Sequence, residues 1–182
     1  MVLLCAFMVQ GCAINYKNLK NTPLSSNKAV DVGAFSYKIK RLPVFASDEG
    51  MNGIRDSFNE ANGFSLAKEY FGDSIPESGR FIAIDPFYKT PTLPAMGFGY
   101  LSVSTLTILP AWSNHDGFYI RYSVYEDGEL VDTYQYDRER FVALWIVILP
   151  FSWINLMTPG EYDVFKDINN EFIEKYVENH VR

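Results

Sequence analysis

Two alternating stretches, 118–125 and 130–140, flank Glu126-Asp127-Gly128-Glu129, and they constrain this chain more than any other feature. Side chains two apart share one face of a strand, so such alternation predicts two half-buried strands. Asp-Gly accepts the positive φ angles of a tight two-residue turn, which makes the pair a β-hairpin. An antiparallel sheet is therefore required. Further strands are expected at 30–41, where Phe35, Tyr37 and Ile39 alternate with Ser36, Lys38 and Lys40 before Pro43. Others are expected at 80–84, ending at Asp85-Pro86, and at 99–109, a β-branched run closed by Pro110. Pro91, Pro94 and the Gly97/Gly99 pair read as breaks ahead of that last strand.

Helices are predicted by three- and four-residue recurrence. Met51, Ile54, Phe58 and Ala61 make one apolar stripe over 48–62, with Gly63 beyond it and Gly53 weakening it slightly. A short turn at 65–71 follows. Thr158-Pro159-Gly160-Glu161 has the form of a capping box, and Val164, Phe165, Ile168, Phe172 and Tyr176 form the stripe of a closing helix. This order gives an α+β fold, an antiparallel sheet of four to five strands packed by two main helices, as a single domain over 30–182.

The segment 141–157 holds 17 residues and no charge, with Pro150 in its middle. A spanning helix needs about 20 apolar residues, and a strongly alternating strand feeds directly into this one. Two readings remain. Residues 141–149 could extend the hairpin strand into the core, with the rest packed under the last helix. Alternatively Trp145, Phe151, Trp153 and Met157 could form an exposed loop contacting a membrane or a partner protein, since tryptophan favours that boundary.

The chain of 182 residues carries a net charge of −6, which argues against a basic face for nucleic acid or for anionic lipid. Both cysteines, Cys5 and Cys12, fall within the first twelve residues. An uncharged apolar run at 1–9 precedes Val9-Gln10-Gly11-Cys12, and an Asn/Lys-rich stretch follows. This resembles the lipobox of bacterial lipoproteins, with Gln10 larger than usual and no basic residue ahead of the run. The resemblance implies a signal peptide over 1–11, truncated at its start, and cleavage before Cys12. It also implies lipidation of Cys12 by diacylglycerol and an N-acyl chain such as palmitate, and a lipidated tether over 12–29. Two or three acyl chains anchor stably where one does not. Ala13, in place of an aspartate, implies the outer membrane and the periplasmic side.

Leu101–Pro110 with its run Ser104-Thr105-Leu106-Thr107-Ile108-Leu109-Pro110, the hairpin, the Trp/Phe/Pro-rich 145–156 stretch and a terminal helix together resemble small, largely uncharacterised lipoproteins of Gram-negative bacteria. That resemblance implies an envelope protein and brings no catalytic residue with it.

Little catalytic chemistry is visible. Ser113-Asn114-His115-Asp116-Gly117 is too local for a triad and reads as a turn between strands. His180 lies near the chain's end, no metal site is legible, and no cofactor is expected. Tyr119, Tyr122, Tyr125, Tyr134 and Tyr136 alternate along the hairpin, as in a half-buried sheet. The expectation is a membrane-anchored, non-catalytic interaction or structural module with an envelope protein partner. The alternatives are a periplasmic ligand-binding domain using the aromatic hairpin and, third, an envelope hydrolase acting through two of the scattered carboxylates.

Overall fold

The computed structural model describes residues 12–20, 33–40, 48–64 and 66–180. The signal peptide expected at 1–11, most of the expected tether and Pro43 lie outside the described residues. The chain is α+β. Six strands are described: β1 (Cys12–Tyr16), β2 (Phe35–Ile39), β3 (Ala67–Glu69), β4 (Arg80–Lys89), β5 (Ala111–Glu126) and β6 (Glu129–Leu144). They order β1-β6-β5-β4-β2-β3 in one sheet. The helices are α1 (Asp48–Glu60), α2 (Leu93–Ser104) and α3 (Glu161–His180), and a run of 3-10 turns occupies Ile146–Met157.

The sheet is mixed, where an antiparallel one of four to five strands was expected. β1 pairs antiparallel with β6, but β2 pairs parallel with both β3 and β4. Parallel neighbours need a crossover, and α1 supplies it between β2 and β3. The 65–71 stretch, expected as a short turn, thus contributes β3; Arg55 of α1 grips its Glu69 with two bonds of 2.9 Å.

By its contacts the chain divides into two compact units. Unit 1 takes Met1–Asn18, Tyr88–Phe118 and Arg138–Gly160; unit 2 takes Leu19–Phe87, Tyr119–Asp137 and Glu161–Arg182. Unit 2 holds the expected core. Met51, Ile54 and Phe58 of α1 and Ala61 just past its end are buried, as are Val164, Phe165, Ile168, Phe172 and Tyr176 of α3. Gly50 and Gly53 let the two helices approach closely. A Cβ at Gly53 would fall on the Tyr162 carbonyl oxygen, and one at Gly50 would lie 2.7 Å from the Phe165 ring. The glycine that weakened the α1 prediction is therefore a packing requirement. Asp127 and Gly128 have φ of 49° and 82°, the positive pair of a type I′ turn, so the predicted hairpin forms.

Three other expectations change. β4 runs on through Asp85 and Pro86, because β2 makes its last register pair at Ile84 and proline beyond that point forfeits no ladder bond on that side. The strand expected over 99–109 is instead α2 and the turns after it: Thr92 stands at the N-cap and Pro94 at the helix start, so a residue read as a breaker is an initiator. The capping box at 158–161 does not form. The Thr158 hydroxyl donates to the Ile14 carbonyl at 3.2 Å and to the Asn155 carbonyl at 3.0 Å, and α3 starts at Glu161.

Candidate functional site

The site is assembled in unit 1, beginning with Cys12. Part of the expected tether is instead β1, whose register sets Cys12 opposite Leu144, Ile14 opposite Val142 and Tyr16 opposite Arg140. Directly opposed side chains of an antiparallel pair lie on the same face. Tyr16 is buried, with its ring 6.0 Å from that of Phe118. Arg140 binds Asp116 at 3.0 and 3.4 Å and lies 5.4 Å from the Phe118 ring. Burial pushes the Cys12 thiol above its ordinary pKa, and the positive charge of Arg140 opposes that rise.

The other edge of β1 is held by one side chain. Asn155 donates to the Cys12 carbonyl at 2.5 Å and accepts from the Ile14 amide at 3.1 Å. A single amide group thus does for β1 what a neighbouring strand would do. It also fastens the 3-10 segment alongside the strand that carries Cys12.

Residues 141–144 do extend the hairpin strand, and the segment beyond them does not enter the core. β6 ends at Leu144, and none of the residues Ile146–Met157 is buried. Trp145 is 39% exposed, Phe151 57%, Trp153 54% and Met157 78%. They form an exposed apolar run and do not extend the core.

Sequence reasoning missed the rest of this surface. α2 is apolar all round, yet its one buried residue is Ser102. Leu93, Phe98, Tyr100, Leu101 and Val103 are exposed, and so is Trp112 at the start of β5. The Thr107 amide donates to the Ser102 carbonyl at 2.7 Å, and the Ile146 amide donates to the Thr107 carbonyl at 2.8 Å. The turn after α2 is thereby joined to the first residue of the 3-10 segment. Two cavities share Ala95, Ala111, Trp112 and Ser113. One, of about 410 Å³, also reaches Asp116 and Leu144; the other, of about 590 Å³, reaches Phe98 and His115. The missed signal was an absence: residues 90–115 contain no Asp, Glu, Lys or Arg.

The remaining candidates separate. His115, expected in a turn, lies exposed within β5, where Gly117 (φ 144°) lets the strand approach the Arg138 carbonyl. The His180 ring stacks on Tyr176 at 4.6 Å at the end of α3. The hairpin tyrosines are engaged in ring contacts. Tyr122 stacks on Phe172 at 4.1 Å, Tyr119 on Phe87 at 4.8 Å, and Tyr134 meets Phe172 edge-on at 5.5 Å. Among the described residues no group of three or more His, Cys, Asp or Glu side chains could hold a metal ion. No described helix is long and apolar enough to cross a membrane.

No family model matches the chain, and no curated protein sequence matches it. Among solved structures, a protein described as a neuraminyllactose-binding hemagglutinin homologue from Helicobacter pylori is similar at a TM-score of 0.46 and 11% identity, covering 86% of this chain and 91% of that one. A PelC variant dodecamer from Paraburkholderia phytofirmans is similar at a TM-score of 0.31 and 7% identity, over 89% of this chain and 94% of its own.

Proposed function

We propose that this chain is a lipoprotein of the bacterial envelope, anchored by lipid on Cys12 and facing the periplasm from the outer membrane. It acts there without catalysis, as an interaction or structural module. The observation that carries the reading is the company Cys12 keeps. Asn155 binds the strand bearing Cys12, and the same 3-10 segment presents Trp145, Phe151, Trp153 and Met157 outward. An anchor point and an exposed apolar surface in one unit suit a protein whose work is contact at a membrane. The lipobox-like Val9-Gln10-Gly11-Cys12 and the absence of cysteine after Cys12 support it. The hairpin tyrosines speak for this reading over ligand binding, since their rings are engaged in packing.

The test is the intact mass of the protein isolated from its native host grown with an alkyne-bearing palmitate analogue. The expected result is a mature N-terminus at Cys12 carrying diacylglyceryl and N-acyl mass, with the label lost in Cys12→Ser. An unmodified chain that retains residues 1–11 would overturn the proposal.

A further inference from the structure

We infer that α2, Trp112 and the 3-10 segment form one surface that rests in the hydrocarbon–headgroup boundary of a neutral lipid bilayer, as an attachment independent of lipid on Cys12. The inference deepens the reading of unit 1 as a contact surface, and its chemistry does not require that Cys12 be acylated.

The first argument is that α2 is built inside out. A helix that meets water buries its apolar stripe and exposes polar residues. Here the buried residue is Ser102, and Thr107 just beyond the helix is buried with it; the hydroxyls of both lack hydrogen-bond partners. Leu93, at 83% exposure, and Phe98, Leu101 and Val103 face outward. Such a helix suits surroundings less polar than water.

Charge then selects the occupant. Residues 90–115 and 141–160 contain no Asp, Glu, Lys or Arg. Protein interfaces carry a polar rim around an apolar centre, and anionic headgroups are recognised by clustered Lys and Arg. Two charge-free stretches of 26 and 20 residues, polar only through uncharged Ser, Thr, Asn and His, offer no cationic cluster and no charged rim. They match an uncharged, apolar phase.

Tryptophan gives the depth. The chain has three tryptophans, Trp112, Trp145 and Trp153, and all are exposed in unit 1. An indole joins an apolar body to one N–H donor, which is why it gathers where hydrocarbon meets headgroups. Length excludes crossing: twelve residues of α2 rise about 18 Å against a hydrocarbon core of about 30 Å. The contact therefore lies in the membrane plane. The bond from Ile146 to Thr107 joins the two halves of the surface.

The experiment uses the full chain with Cys12→Ser, so that no lipid contributes, and with Trp145→Phe and Trp153→Phe, so that Trp112 alone reports. The probe is vesicles of phosphatidylcholine with brominated acyl chains. Trp112 emission should fall to about half of that in unbrominated vesicles, with little change between low and high salt. Leu93→Gln/Phe98→Gln carries the same N-terminal run and should lose the quenching while its far-UV circular dichroism is retained. Unquenched Trp112 on vesicles that the protein has bound would overturn the inference, as would binding confined to anionic vesicles. So would Trp112 shielded in a lipid-free oligomer, or cross-linked in native membranes to a partner protein. Acylation of Cys12 is read separately by intact mass, so either proposal can fail without the other.

Discussion

Unit 2 buries most of its large apolar side chains, Leu66, Phe71, Ile75, Leu130 and Val131 apart, and unit 1 displays most of its own. Among the described residues, unit 1 contributes Tyr16, Ala111 and Phe118 to the buried apolar set, while α1 and the turn after it, α3 and the strands of unit 2 supply the rest. Charge divides in the same sense. Of the 38 charged residues, unit 1 has six, Lys17, Lys89, Asp116, Arg138, Glu139 and Arg140, and unit 2 has the other 32. Unit 2 obeys the ordinary rule for a domain in water. Unit 1 breaks it at α2 and at the 3-10 segment. The lesson is that overall composition hid two different surfaces, since the net charge of −6 is the sum of −8 in unit 2 and +2 in unit 1.

The strongest way to break this comparison is to truncate one large ring in each unit. Phe172 stacks on Tyr122 at 4.1 Å and also meets Tyr134 and Tyr176. Phe172→Ala should cost about 3–5 kcal/mol, the range for a fully buried aromatic. Phe98, 61% exposed on α2, should cost less than about 0.5 kcal/mol when truncated, as surface changes do. Urea unfolding of both variants in detergent-free buffer checks the pair. Equal losses would mean that α2 is covered within the isolated chain, and the contrast between the units would fall.

Two helical glycines sharpen the comparison at smaller amplitude. Gly53→Ala drives a methyl onto the Tyr162 carbonyl and should destabilise by about 1–3 kcal/mol through overpacking. Gly99→Ala in α2 meets nothing within 4 Å and should stabilise by about 0.5–1 kcal/mol through helix propensity alone. The measurement is the sign of the Tm shift. A loss at Gly99 would show that α2 is packed as closely as α1.

What could be read in the sequence follows from the same division. The hairpin, the α1 stripe and the α3 stripe were legible because unit 2 contrasts apolar with polar positions, and contrast is what periodicity measures. α2 offers none: with every side apolar, its 3.6-residue period is invisible, and Val103 with the β-branched Thr105, Thr107 and Ile108 just beyond its end suggested a strand. β1 was missed because its pairing partner lies far along the chain, with Cys12 opposite Leu144. β3 has three residues, too few for any alternation. Cys12 itself was legible from its immediate neighbours. The Asn155 clamp was not, since an asparagine in an apolar run gives no hint of a strand 143 residues away.

That clamp yields the third prediction. Asn155→Ala removes both bonds to β1 and should cost about 1–2 kcal/mol, with a half-buried carbonyl and amide left to find water. Hydrogen exchange should quicken at Ile14, and less at Tyr70, whose amide is bonded to the Tyr37 carbonyl in unit 2. Unchanged exchange at Ile14 would remove Asn155 as the link between β1 and the 3-10 segment.

The smallest effect is expected from alkali, and it belongs to unit 2. Burial, with help from Asp132, pushes the Tyr134 hydroxyl up to about 12, against the hydrogen bond from Asn179 that lowers it. Tyr136 is raised in the same direction, by burial and then by the charge of Glu171. A folded-state pKa above the unfolded value means that the native chain binds the proton more tightly. The associated stability is fully present below about pH 10 and is lost as the pH climbs toward 12. Absorbance at the tyrosinate band should therefore show Tyr134 and Tyr136 among the tyrosines that titrate late, in step with the loss of the near-ultraviolet circular dichroism of the Tyr122–Phe172 stack. If the bilayer contact belongs to unit 1 alone, vesicles should leave this late titration where it is. A shift in it on adding vesicles would show that lipid reaches the hairpin face, and the division between the units would have to be redrawn.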